Sequence, residues 1–417
     1  MKKQNILLSF SLLLCSMQVW AKDNWHFYRA GNFFGEARLE KPWLGSLDLS
    51  LGGGSTSSGW NSTEDITCLF DIYGFHNMLL LGKGVPGLDL SNPLDQILDA
   101  LSKIPAEGTL GLFSIGGKFR LLETYLTLTQ NVTKGFFFQA DIPFRKFHVC
   151  NLSFNSLDPE AENLTQLQPF LQSFDAILER YNLDKKGFKK AGIGDIALLV
   201  GWTINFEDTD ILDFIDVTFK SGVLIPSGRP KNENVIFDIP HGYNNHLGIP
   251  FSTDVSLGLY EWLTLGVHGD ALIFKDKTQT IRMKTDTNQS GMIKLAKGCA
   301  NIQQGTLWSI GAFIKWDHVA HLVSWLFGYS FANKNSDVIT PTQPELFSSS
   351  VVNSDQLFQG WKMQTFHIWL EFDLTKENHR FGPRIGAFFN IPISGKRTFK
   401  TKVGGLLGGL DIAWALD

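Results

Sequence analysis

Imidazole and carboxylate side chains in this chain recur at even spacings, which place them on one face of extended backbone. His268 stands two residues from Asp270, and His367 stands four from Glu371. An imidazole beside a carboxylate is the base-and-orienter half of a hydrolytic site. No strand-borne serine is evident to complete a triad, and the sequence holds no nucleophile elbow, HExxH, phosphate loop or dinucleotide fingerprint. His318 and His321 flank an expected turn, while His241 and His246 fall in a long loop rich in Asn, Gly and Tyr. Neither pair has a cysteine or carboxylate at ligand spacing, so a packing or solvated role is expected rather than a metal site. No catalysis and no cofactor is expected.

What remains is a row of charge. Taking the polar parity of each extended segment gives Glu123, Asp141, Asp195, Asp216, Asp254, Asp270, Glu371, Asp373 and Asp411, against Arg145, Lys220, Lys315 and Arg384. With His268 and His367 these form the expected lining of a lumen. The acidic excess gives a negative potential that favours cations or neutral solutes over anions. The opposing reading is that these charges pair with one another and fill a narrow interior.

The elements that hold this row are strands. Ile196, Leu198, Val200, Trp202, Ile204 and Phe206 alternate with Ala197, Gly201, Thr203 and Asn205. After the polar stretch 207–210 the alternation resumes, with Ile215, Val217, Phe219, Val223 and Ile225 against Asp216, Thr218, Lys220 and Gly222. One greasy face and one wet face define an antiparallel hairpin. Similar segments lie near 119–130, 136–147, 252–260, 262–274, 305–316, 319–332, 363–374, 382–392 and 404–416. Trp202, Phe206, Trp308, Trp316, Phe372 and Trp414 sit near strand ends on the apolar parity, as interfacial girdles require.

The N-terminus directs export. Lys2 and Lys3 precede an apolar run from Ile6 to Cys15, and Val19-Trp20-Ala21 forms a cleavage site, so residues 1–21 read as a signal peptide. Its loss leaves 35 basic residues against 41 acidic ones, a mature net charge of −6, which excludes the basic face of a nucleic-acid binder. Cys68, Cys150 and Cys299 would remain, an odd number that allows one bridge but no disulfide framework. No later stretch is long and apolar enough for a spanning helix.

Connections alternate short and long. The short ones fall at 131–135, 207–210, 261, 317–318 and 375–380, and the long ones at 150–190, 226–250, 275–303, 333–360 and 394–403. Outer-membrane barrels have short periplasmic turns and longer external loops, so the long loops are external and both strand termini periplasmic. An even strand number follows. Twelve strands, with 43–54 as the first, are favoured over fourteen, which would add 65–73 and 109–115. Two helices interrupt the pattern: Pro93 follows Asn92 and opens a stripe through Leu94, Leu98 and Leu101, and a second stripe lies between Leu164 and Tyr181. They pack over the barrel mouth or enter it as a plug.

Residues 192–195 (Gly-Ile-Gly-Asp), followed by a strand and then Ser221-Gly222-Val223-Leu224-Ile225-Pro226-Ser227-Gly228, resemble bacterial outer-membrane barrels of the phenol-degradation meta-pathway group. Those proteins resemble the long-chain fatty-acid transporter at a distance. The matching part covers roughly 190–275, and 390–414 is similar in character. The resemblance implies uptake of hydrophobic or small organic solutes and assigns no binding residues. It also implies an N-terminal hatch, which 22–42 and 55–117 could supply.

The expected protein is all-β: one transmembrane antiparallel up-and-down barrel over 22–417, with 22–42 as an N-terminal extension, in the outer membrane of a Gram-negative-type bacterium. Its partners are membrane lipid, the outer-membrane assembly machinery and a small solute. It passively admits hydrophobic or neutral solutes. The alternatives are a sealed barrel acting through its external loops and a membrane-embedded hydrolase. A soluble two-sheet sandwich shares the same period of two.

Overall fold

A computed structural model describes residues 44–104, 108–133, 135–158, 167–207, 212–260, 262–319, 322–374 and 380–413. The signal segment, the extension 22–42 and Trp414 lie outside the described residues.

Period-two alternation produces twelve wall strands: β1 Leu44–Thr56, β2 Leu112–Thr133, β3 Phe136–Ser156, β4 Ile196–Glu207, β5 Phe214–Ile225 and β6 Gly248–Leu259, then β7 Leu263–Phe274, β8 Leu307–Val319, β9 Val323–Lys334, β10 Trp361–Asp373, β11 Phe381–Lys396 and β12 Lys402–Ala413. Each pairs antiparallel with its sequence neighbour, and β1 pairs with both β2 and β12, closing the ring. A closed ring has no sheet edge, and it excludes the two-sheet sandwich.

The fourteen-strand alternative fails for a local reason. Residues 66–68 join a small sheet with Ser58–Trp60 and Thr398–Phe399, and 112–115 is the upper part of β2. Two further short strands, His76–Asn77 and Lys189–Ile193, pair onto the upper reaches of β2 and β3 without widening the ring. Other boundaries also moved. β3 runs to Ser156, well past the expected 147, and β8 runs to Val319, so residues 317–318, expected as a turn, belong to the strand. A register shift between Trp316 and Val319 absorbs the polar Asp317-His318 pair inside the strand.

The outer face is greasy. Leu49 on β1, Val200 on β4, Ile310 on β8 and Ile385 on β11 are all exposed, as are Leu47, Leu51, Leu198, Trp202, Ile314 and Phe389 on the same faces. Trp202, Phe206 and Phe372 are exposed at the short-turn end, with Trp316 half-buried there. Trp308 sits at the other end, its ring 5.3 Å from that of Phe331. This belt suits acyl chains, and strands satisfy their backbone groups with one another as lipid requires. No helix among the described residues is long and apolar enough to cross a membrane.

At the long-loop end the loops build a packed cap. Helices α1 (Pro93–Ser102) and α2 (Gln168–Arg180) lie within it, and Leu98, Leu101, Phe170 and Ile177 join one apolar core with the inward Phe119, Phe147, Leu224 and Leu272 of the upper wall. Asn92 caps α1 through the N–H of Leu94. Asp95, wholly buried, accepts two guanidinium hydrogen bonds from Arg180 and one from Tyr181, which couples the helices. Buried Arg282 donates to the carbonyls of Tyr181, Glu233 and Leu295, so a single side chain ties three loops together.

Candidate functional site

The inward parity of the wall carries the polar residues, and the pairing register decides which of them meet. Arg145 on β3 donates to Glu123 on β2 at 2.6 Å, and Thr127 on β2 donates to Asp141 on β3 at 2.9 Å. Thr203 and Thr218 bridge β4 and β5 at 2.8 Å, and Lys220 lies 3.2 Å from Asp254 across β5 and β6. Asp270 on β7 accepts from Ser252 on β6 at 2.7 Å and from Ser309 on β8 at 3.1 Å. Arg384 on β11 gathers Asp48 at 2.8 Å, Asp411 at 3.0 Å and Glu371 at 3.5 Å, drawing together β1, β12 and β10. These links run along the wall between adjacent strands, except that Arg384 reaches past β12 to Asp48 on β1. Such hydrogen bonds are what buried polar groups require.

Of the other sequence-derived positions, His268 is 2% exposed, with its Nε2 4.0 Å from Asp270. Asp216 faces Asn205 and Ser256 across the ladder, Lys315 faces Thr264, and Asp373 faces Arg384, all half-buried. The serine not evident from sequence is present. Ser330 Oγ on β9 lies 2.7 Å from His367 Nε2 on β10, and His367 Nδ1 lies 2.8 Å from Asn390 Oδ1 on β11. An amide oxygen accepts, so Nδ1 carries the proton and Nε2 accepts from the hydroxyl. This is the nucleophile–base–orienter geometry, but Ser330 is only 4% exposed. Inward parity alone could flag Ser330 and Asn390. Their meeting depends on strand register, which local sequence does not encode.

Asp195 stands elsewhere than in the wall row. It follows the break at Gly194 between Lys189–Ile193 and β4, where Gly194 N–H donates to the Pro143 carbonyl at 2.7 Å. Its carboxylate accepts the N–H of Gly228 at 2.9 Å and of Tyr243 at 2.6 Å, fastening loop 226–247 to the wall. Ser227 Oγ adds a bond to the Gly194 carbonyl, and Arg145 donates to the His241 carbonyl at 2.7 Å. The glycines follow from this closeness. A Cβ at Gly242 would overlap the Asp195 carboxylate, and one at Gly194 would stand 2.8 Å from the Arg145 guanidinium. Gly194, Asp195, Ser227 and Gly228, four of the residues that carried the resemblance, thus form one latch. His241 is buried within it, its ring stacked on Phe147 at 5.0 Å, and burial together with Lys190 and Arg145 pulls its imidazole down to about 4.

The latched loop forms one wall of a cavity in the cap, of about 200 Å³, lined among others by Tyr73, Tyr243, Gln304, Phe358, Trp361 and Phe399. Nothing in the sequence signalled it, because its residues come from segments scattered between Phe70 and Phe399. Among the described residues no group of three or more His, Cys, Asp or Glu could hold a metal, and Cys68, Cys150 and Cys299 are free thiols.

No family model and no curated protein matches the chain. Among solved structures, the chain is similar to the COG4313 outer membrane channel from Pseudomonas putida F1, with a TM-score of 0.50 at 10% identity, over 92% of this chain and 100% of that one. A Pseudomonas aeruginosa FadL homologue (TM-score 0.29, 8% identity, 88% of each chain) and the CymD monoaromatic hydrocarbon channel (0.30, 8%, 89% of this chain and 88% of that one) are more distant. At 10% identity the likeness is one of fold. The described residues thus share the closed antiparallel β-barrel fold of the COG4313 channel.

Proposed function

We propose that the protein is an outer-membrane channel that passively admits small solutes, hydrophobic or uncharged, across the envelope of a Gram-negative-type bacterium, after export by its first 21 residues. The observation that carries this reading is the opposition of the two wall faces: exposed Leu, Val, Ile, Phe and Trp outside, hydrogen-bonded Asp, Glu, Arg, His, Ser and Thr inside. A barrel that merely needed a core would put its apolar face inward. Glu123, Asp141, Asp216, Lys220, Asp254, His268, Asp270, Lys315, His367, Glu371, Asp373, Arg384 and Asp411 line the proposed solute path. The cavity in the cap is its external entrance, and the wall break beside Pro143 is a candidate side exit.

A sealed barrel is supported by a different observation. The cap core is continuous with the upper inner wall through Phe119, Phe147 and Leu272, an arrangement that fills the mouth. Swelling of proteoliposomes in isotonic neutral solutes separates the two. The channel reading expects swelling that slows as solute size rises, whereas liposomes as tight as protein-free ones support the sealed barrel.

A further inference from the structure

We propose that the cavity in the external cap is a binding site for an uncharged solute with an apolar body and a hydroxyl-type group that both donates and accepts a hydrogen bond. The inference deepens the channel reading and rests on it. The apolar part follows from Phe70, Tyr73, Phe358, Trp361 and Phe399, which with Tyr243 give the cavity its aromatic surface. A concave site of this kind recovers the hydrophobic contribution of a solute body while a few polar groups set its orientation.

Charge selects against ions. The lining holds Lys231, Arg282 and Lys334 against Glu233, Asp238 and Asp337, and each is matched inside the protein. Lys231 lies 3.5 Å from Glu233, Lys334 is bonded to Asp337, and Asp238 takes Lys190 at 2.6 Å. Arg282 spends its guanidinium on loop carbonyls. An anionic or cationic solute would have to give up its hydration without a free counter-charge in return.

Hydrogen bonding selects the polar group. Two lining amides have capacity left over: among the described residues, Gln279 Nε2 and Gln304 Oε1 are buried atoms with no hydrogen-bond partner. One is a donor and the other an acceptor, and leaving either unmet is costly. The terminal torsion of glutamine is soft, so a small turn of each amide presents it to the cavity. A hydroxyl on the solute satisfies both kinds of group at once. A hydrocarbon satisfies neither.

The test is equilibrium binding to the detergent-purified full chain, followed by saturation-transfer NMR and calorimetry with 1-octanol, octanoate and nonane as matched probes. We expect octanol to bind more tightly than either of the others. Gln279→Met and Gln304→Met should each weaken octanol about fivefold and leave nonane unchanged, as expected for loss of one hydrogen bond. Gln279 is the cleaner variant, because Gln304 also donates to the Tyr243 carbonyl at 3.2 Å. Octanoate binding as tightly as octanol, unchanged octanol affinity in Gln279→Met, or no binding of any probe would overturn the inference. Swelling in neutral solutes reports on the channel independently, so the two readings fail separately.

Discussion

Arg145 Nη1 donates to the His241 carbonyl at 2.7 Å while its Nε holds Glu123, so one buried guanidinium joins the wall to the loop that borders the cavity. Arg145→Met leaves the Glu123 carboxylate buried without its cation, a change that costs about 3–5 kcal/mol. We predict a lower denaturant midpoint by that order and faster cleavage within loop 226–247 by added protease. The double change Glu123→Gln with Arg145→Met should recover part of the loss.

Acid should loosen the same loop. His241 is held at about 4, by burial first and then by Lys190, Arg145 and Arg229, with Asp238 acting the other way. An unfolded imidazole titrates near 6.5. Between these values the unfolded state binds the extra proton, so the stabilisation is complete above the higher value and fades as pH falls towards the lower. His76 and His246, buried in the cap, are shifted the same way by burial. Limited proteolysis at falling pH should show loop 226–247 opening across that window, and His241→Phe, which keeps the stack on Phe147, should flatten the profile.

The barrel was legible wherever one residue in two is apolar. The hairpin of β4 and β5 is present, with Trp202 beside Phe219 and Ile204 beside Val217 on one face, as alternation required of the two strands though not of their register. Legibility ended where the chain leaves that period. Asp195 looked like a wall residue because parity was carried across Gly194, where the strand breaks and its side chain turns to the loop backbone. The upper halves of β2 and β3 were hidden by a register shift between Gly116 and Lys118. The cap core and the cavity arise from irregular segments whose contacts are fixed by side chains such as Arg282, not by any repeat.

Ser330, His367 and Asn390 invite a test for hydrolysis. Ser330 and its two partners are each 4% exposed or less, on a wall where Thr203–Thr218 and Ser252–Asp270 make similar ties. We predict that a fluorophosphonate probe leaves Ser330 unlabelled in folded protein and that Ser330→Ala lowers stability by about 1 kcal/mol. Covalent labelling at Ser330, abolished in the variant, would establish an enzyme.

Arg384 should matter for both closure and selectivity, because it balances Asp48, Glu371 and Asp411 near the β1–β12 seam. Arg384→Gln is expected to destabilise the barrel by about 3 kcal/mol. Where folded protein is recovered, its preference for cations over anions should exceed that of the parent, read as a shift in zero-current potential.

The most direct measurement of the account is current through purified, folded protein in a planar bilayer under a salt gradient. The wall described above predicts discrete conductance steps with a zero-current potential on the cation side. Stable insertion with no current, or a potential on the anion side, would contradict it.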